Sequence, residues 1–136
     1  MASSIDRALQ RVLGVALLAD AGVAALVGDR IYDQMPKTGE YPCIEFGASD
    51  VVPDDEECID GEVHALQIDV WSRDQGRLGP CKDIVGAARA ALHEAELDLP
   101  DPFALCFVRV VLTRVLPDPD GITAHGILTV EATAER

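Results

Sequence analysis

Basic residues are scarce in this chain of 136 residues, which has 11 lysines and arginines against 24 aspartates and glutamates. The formal net charge is −13. A surface of this sign repels the phosphates of nucleic acids and of anionic membranes, which excludes a basic nucleic-acid groove. It does not exclude a conduit through which double-stranded DNA slides without specific binding, because a negative wall does not hold DNA.

Aromatic residues and long apolar runs are also scarce. The six aromatic side chains leave a core that must be mostly aliphatic and alanine-rich. No apolar run approaches the length of a membrane span, so we expect no membrane partner. The length predicts one domain, residues 1–136, which buries about two thirds of its unfolded surface and needs neither disulfide nor metal.

The four cysteines form no Cys-x-x-Cys pair. Asp6, Arg7 and Arg11 interrupt the apolar residues of the first predicted helix, which does not fit a secretory signal. We therefore expect reduced thiols and synthesis in the cytoplasm. Cys81 and Cys106 fall on predicted apolar faces, where each is expected to fill the core as a small hydrophobic residue.

The stretch from Val63 to Leu92 predicts a strand, a polar turn and an amphipathic helix. Apolar and polar residues alternate up to Trp71, as in a half-buried strand. From Cys81 the period becomes helical, with Ile84, Val85 and Ala88 on one face. We expect Trp71 to be largely buried against this helix.

The remaining patterns predict the element order α-α-β-β-β-α-β-β, an α+β fold with a mixed, mostly antiparallel sheet and helices packed on it. A first helix begins at Ile5 and a second covers Ala21 to Val27. The other strands are predicted over residues 30–34, 43–49, 103–116 and 122–132. Gly47 suggests a bulge, and the last two strands suggest an antiparallel hairpin. Exposed strand edges and the acidic connection of residues 50–62 are the expected partner surfaces, because exposed edges invite pairing.

Residues 50–62 form an acidic connection, within a stretch from Thr38 to Ser72 that has no lysine or arginine. Three interpretations stay open: a solvated loop, a negative lining or docking edge, and a calcium site. Asp54, Asp55, Glu56 and Glu57 lack the spacing of a calcium-binding loop.

The sequence predicts no catalytic, cofactor or metal site. His64, His93 and His125 have no ligand spacing, and no Gly-x-Ser-x-Gly elbow or phosphate-binding glycine loop is present. Cys81 lies near a helix start, which lowers a thiol pKa, but its place on the apolar stripe favours core packing. Arg73 and Arg77 are either solvated turn residues or ion-pair partners for the acidic surfaces of neighbouring subunits.

Three segments, in their order and spacing, resemble a known family. They are ALVGDRIYDQMPKTGEYPCIEFG at 25–47, VWSRDQGRLGPCKDIVGAARAALH at 70–93 and AHGILTVEA at 124–132. With the leading helix IDRALQRVLGVALLAD, they are similar to the tail-completion or tail-terminator proteins of long-tailed phages, prophages and gene transfer agents. The resemblance covers nearly the whole chain. The Gly79-Pro80 step departs from the pattern and is expected to shorten the start of the helix.

The resemblance implies a structural protein of a phage or gene-transfer-agent tail, made in the bacterial cytoplasm. Such proteins form a ring, usually a hexamer, that caps the head-proximal end of the tail tube and stops its polymerisation. The implied partners are further copies of the chain, the major tail tube protein and a neck or head-closure protein. DNA passes through the lumen, and no catalytic residue is implied.

Within that family picture, Arg73 and Arg77 are our candidates for subunit or neck contacts. Asp54, Asp55, Glu56 and Glu57 are our candidates for the lumen or its rim. Rival interpretations are another neck component, such as a head-closure or adaptor protein, a small enzyme, and an acidic partner-binding module.

Overall fold

A computed structural model describes residues 4–54 and 61–136 of the chain. Its element order is the predicted one. The helices are α1 (Ile5–Ala19), α2 (Ala21–Val27) and α3 (Gly79–Leu92), and the strands are β1 (Ile31–Tyr32), β2 (Cys43–Asp54), β3 (Gly61–Arg73), β4 (Ala104–Pro117) and β5 (Thr123–Glu135). The α+β prediction is therefore confirmed.

The five described strands form one mixed sheet in the order β1-β2-β3-β5-β4. The short β1 runs parallel to β2, and the other neighbours are antiparallel. The predicted hairpin of the last two strands is confirmed as β4 and β5. Since β1 pairs only with Ile44 and Glu45, it covers one end of the outer edge of β2. The rest of this outer edge has no described strand beside it.

The three described helices lie on one face of the sheet and bury the core between the two layers. Leu9, Leu13 and Leu17 of α1 are fully buried, as are Ile68 of β3 and Leu128 of β5. Asp20 ends α1, and its carboxylate accepts the backbone N–H of Val23 to begin α2. Of the described helices, none is alone long and apolar enough to span a membrane; α1 and α2 meet the test only as a pair bent by 82°.

Helix α3 begins at Gly79, two residues before the predicted start at Cys81, with Pro80 in its first turn. Proline fits there because the first backbone N–H groups of a helix have no intrahelical partner. The expected shortening at the Gly79-Pro80 step is therefore wrong. The apolar stripe of α3 is buried as predicted, and it packs against Gly126 of β5. A Cβ atom at Gly126 would lie 2.5 Å from Val85 Cγ2, so this close approach requires glycine.

The acidic connection is shorter than its sequence suggests. β2 continues to Asp54 and β3 begins at Gly61, so residues 50–54 lie in a strand and not in a loop. The adjacent Val51 and Val52 pair with His64 and Val63 of β3. The bulge suggested by Gly47 is confirmed, because the register shifts between Phe46 and Ser49.

Two expectations about the core are wrong. Trp71 lies on the face of the sheet opposite the helices and is only partly buried, because Val70 is the residue that faces Cys81 and Val85. Neighbouring strand residues point to opposite faces, which places Trp71 away from α3. Cys106 is exposed, since the register shift between Leu105 and Phe107 makes it the bulged residue of β4.

Candidate assembly surfaces

The face of the sheet without helices carries a network of polar side chains that are half-buried, except Asp69, which is buried. The His125 ring stacks on Trp71 with centroids 3.9 Å apart, and its Nε2 lies 2.7 Å from Asp69 Oδ1. Gln67 donates to the same carboxylate oxygen at 2.9 Å. Trp71 Nε1 in turn donates to Glu45 at 3.3 Å. These hydrogen bonds hold the side chains in place across β2, β3 and β5.

Arg73 and Arg77 lie at the end of the sheet where β3 turns towards α3. The Arg73 guanidinium stands 4.1 Å from the centroid of the Tyr41 ring, and its Nε donates to the Thr123 hydroxyl at 3.0 Å. Arg77 is 3.4 Å from the Asp74 carboxylate, a pair between exposed side chains. Arg73 therefore packs within its own subunit, whereas Arg77 projects further into solvent.

Asp120 stabilises the neighbouring β4–β5 turn. Its carboxylate accepts the Thr123 hydroxyl at 2.6 Å and the backbone N–H groups of Ile122 and Thr123. These hydrogen bonds, led by that of the Thr123 hydroxyl, lower the pKa of the Asp120 carboxyl. The turn therefore keeps a fixed negative charge about 4.0 Å from Arg73.

Asp54 lies at the opposite end of the sheet, where β2 and β3 pair through Asp54 and Gly61. Asp55, Glu56 and Glu57 lie outside the described residues. From Gly61 to Arg73, β3 extends over about 40 Å at 3.3 Å per residue. The structure thus places Asp54 far from Arg73 and Arg77.

The outer edge of β4 is covered over only part of its length. The backbone N–H of Glu94 donates to the Val108 carbonyl at 3.0 Å, and the Val110 N–H donates to His93 Nδ1 at 3.0 Å. These bonds from the end of α3 occupy the edge at Val108 and Val110. Beyond Val110, no backbone group of another described segment bonds to this edge of β4.

Exposed hydrophobic side chains concentrate on the two incompletely covered edge strands. Val51 and Val52 on β2 are 42% and 59% exposed, and Val111 and Leu112 on β4 are 49% and 55% exposed. Sequence reasoning placed the β2 pair in a loop and did not single out the β4 pair. The available signal was charge, since residues 104–117 contain two arginines and no acid in an acidic chain.

The thiols of Cys81 and Cys43 are both buried. Cys81 is buried on α3, and burial raises the pKa of its thiol, against a smaller lowering by Ser72. Burial, helped by the Glu45 charge, raises the pKa of Cys43 to about 11. A helix start therefore does not activate Cys81 here, because the thiol faces the core.

His64 is the most deeply buried histidine and joins α1 to the sheet. Its Nε2 lies 3.0 Å from Glu62 Oε1 and its Nδ1 lies 3.7 Å from Asp6 Oδ1. Asp6 also accepts the Ser49 hydroxyl at 2.7 Å. Residues 4–54 and 61–136 contain no group of three histidine, cysteine or carboxylate side chains arranged to hold a metal. The contacts around His64 connect α1, β2 and β3.

Comparison with known proteins places this fold among tail proteins. The model of the family "Tail completion protein gp17" matches residues 11–135. A chain of the "Virion of native gene transfer agent (GTA) particle" superposes with a TM-score of 0.89 at 25% identity, covering 99% of this chain and 100% of that chain. The gp17 protein of bacteriophage SPP1 gives 0.63 at 26% identity, covering 93% and 88%.

No curated protein matches the sequence. The family model nevertheless spans nearly the whole chain, and it includes all five strands and α3. The two solved structures agree with it over almost the same length. The chain therefore belongs to the tail completion protein gp17 family of phage-like tails.

Proposed function

We propose that this chain is the tail terminator of a phage or gene-transfer-agent particle. Several copies, six by analogy with the family, form a ring on the head-proximal end of the tail tube. The ring stops addition of tube subunits and offers its upper surface to a neck or head-closure protein. Double-stranded DNA passes through the lumen without specific binding.

The observation that carries this proposal is the likeness to one chain of a gene transfer agent virion. It extends over all of that chain and 99% of this one, so no large insertion or missing element separates the two folds. The family match gives the same class of protein independently. A ring requires surfaces that bind other subunits. The described part of the chain has two strand edges with unpaired backbone and exposed apolar side chains.

The charge distribution supports specific roles for the two ends of the sheet. The acidic end, with Asp54 and the following Asp55, Glu56 and Glu57, forms the lumen wall or its rim, where negative charge lets DNA slide. Arg73 and Arg77 at the other end contact a neighbouring subunit or the neck. Arg77, with its more exposed side chain, is the better placed of the two for such a contact.

Deletion of the gene tests this function against that of another neck component. Loss of a terminator leaves tube growth unchecked, so electron micrographs should show tails of variable and excessive length that do not join heads. Loss of a head-closure or adaptor protein would instead leave tails of uniform, normal length. Restoring the chain from a plasmid should restore uniform tails, and uniform tails in the deletion strain would contradict the proposal.

A further inference from the structure

We propose that the uncovered part of β4 pairs with the outer part of β2 in a second copy of this chain, continuing the sheet from subunit to subunit. This inference rests on the proposed ring and specifies its interface. The paired segments are residues 112–116 of β4 and residues 48–52 of β2. The contact is head-to-tail, because each subunit uses a different edge on each side, and such contacts generate rings when the rotation closes.

Both edges have a reason to be covered. An unpaired strand edge with exposed apolar side chains invites pairing with another chain. Five of the nine exposed large hydrophobic residues in the described part of the chain lie on these two strands: Phe107 and the adjacent pairs Val51–Val52 and Val111–Leu112. A contact between β4 and β2 covers Val52 and Leu112 together.

The charges of the two edges are complementary, which favours a second copy as the partner. Arg109 and Arg114 are the charged residues of β4, which has no acid. The outer part of β2 contains Asp50 and Asp54 and no base. Among the described residues, neither Arg114 nor Asp50 has an ion-pair partner within its own subunit.

Antiparallel pairing aligns these groups in one register. With Arg114 opposite Asp50, Leu112 lies opposite Val52, two residues along each strand. All four side chains lie on the helix-free face, because Arg114 and Asp50 share rows with Asp69 and Ala65 of that face. Directly opposed side chains approach closely enough for an apolar pair and an ion pair.

This register displaces one subunit along the strand direction relative to the next. The row of Arg114 contains Asp69 and the row of Asp50 contains Ala65, so the displacement is four residues of β3, or about 13 Å. Without it, β1 of the second copy, which is level with Asp69 and Val70, would occupy the place beside Arg114. A stagger of this kind is also what a closed sheet with tilted strands requires.

The cover on the other part of β4 limits where pairing can occur. His93 and Glu94 already bond the edge at Val108 and Val110. With the four-residue displacement, Val52 in β2 of the second copy lies opposite Leu112. Only the end of that β2 approaches the part of β4 that His93 and Glu94 already bond. The same displacement carries β1 of the second copy past Pro117, the last residue of β4. The free segments of the two edges therefore fit each other in length and position.

Disulfide cross-linking tests the interface in assembled tails. The double variant Val52→Cys/Leu112→Cys is made in a Cys58→Ser/Cys106→Ser background and oxidised in tails from the producing strain. These positions are three strands apart within one subunit, too far for an internal disulfide. Head-to-tail pairing should give a ladder of dimers, trimers and larger species up to the ring size. A ladder that stops at dimers, cross-links to a different tail protein, or no cross-links at all would overturn the proposed pairing.

Two controls separate this interface from the ring itself. Val52→Cys/Asp83→Cys places the second thiol on the exposed side of α3 and should give no ladder.

Asp50→Arg and Arg114→Asp should each weaken self-association at least about tenfold, and the double variant should restore it. Asp83→Arg and Arg89→Asp, the same charge changes on α3, should have no effect. A ring of normal mass that resists all Asp50 and Arg114 changes would refute the interface but keep the function, whereas monomers in tails would refute both.

Discussion

The Trp71 indole lies almost flat against the His125 imidazole, with ring planes 10° apart and centroids separated by 3.9 Å. The two residues are directly opposite each other on β3 and β5. Asp69 and Glu45 hold the stack by hydrogen bonds to His125 and Trp71, respectively. The only tryptophan of the chain thus stabilises the helix-free face and not the core between sheet and helices.

This placement predicts an intermediate cost for Trp71→Ala. Loss of a partly buried ring and of its aromatic contact should lower the free energy of unfolding by about 1–3 kcal/mol. Leu13→Ala, which empties a fully buried position of α1, is the control and should cost about 2–5 kcal/mol. Urea unfolding measures both. An unchanged Trp71→Ala protein would show that the stack contributes nothing to stability.

The same substitution, glycine to alanine, should change the free energy of unfolding in opposite directions at Gly126 and Gly86. Gly126→Ala forces a methyl group against Val85 and Cys81, so it should destabilise by about 1–3 kcal/mol. Gly86→Ala on α3 meets nothing within 4 Å and should stabilise by about 0.5–1 kcal/mol through helix propensity. Equal effects in chemical denaturation would contradict the close approach of α3 to β5.

The three described thiols should differ sharply in reactivity. In a Cys58→Ser background, exposed Cys106 should react rapidly with a thiol reagent at pH 8, and Cys43 and Cys81 only after unfolding. The rise of the Cys43 pKa from 9.0 to about 11 alone lowers its thiolate fraction about a hundredfold at that pH. Three equally fast thiols, counted by mass spectrometry, would be inconsistent with the buried packing of Cys43 and Cys81.

The acidic end of the sheet should matter for DNA passage and not for assembly. Changing Asp54, Asp55, Glu56 and Glu57 to Lys should leave tails intact but slow DNA delivery, more strongly at low salt because screening is weaker there. The matched control changes exposed Asp83, Glu96, Asp98 and Asp101 to Lys. Delivery unaffected at every ionic strength would show that these acids do not line the path of the DNA.

Sequence reasoning predicted the element order and the apolar stripe of α3 because these depend on local periodicity, which both α3 and β5 express clearly. It misplaced Trp71 because alternation defines two faces of a strand without saying which face the helices cover. It placed residues 50–54 in the acidic connection because they begin the run 50–62, in which acids outnumber the two valines. Cys106 was misassigned since a bulge shifts the alternation within β4.

The assembly surfaces were harder to predict than the fold. The exposed edges depend on which strands lie at the ends of the sheet, and order β1-β2-β3-β5-β4 is set by long-range pairing. The partial cover of β4 by His93 and Glu94 has no local signature in the sequence. Arg114 and Asp50 become candidates only when the rows of the sheet show that they share a face.

The copy number of this chain at the head-proximal end of the tail tests the central claim most directly. Native mass spectrometry of the complex released from purified tails should give one closed species, at six times the 14.5 kDa subunit mass if the proposed ring has six copies. Monomers alone, or a stoichiometry of one chain per tail, would contradict a terminator ring.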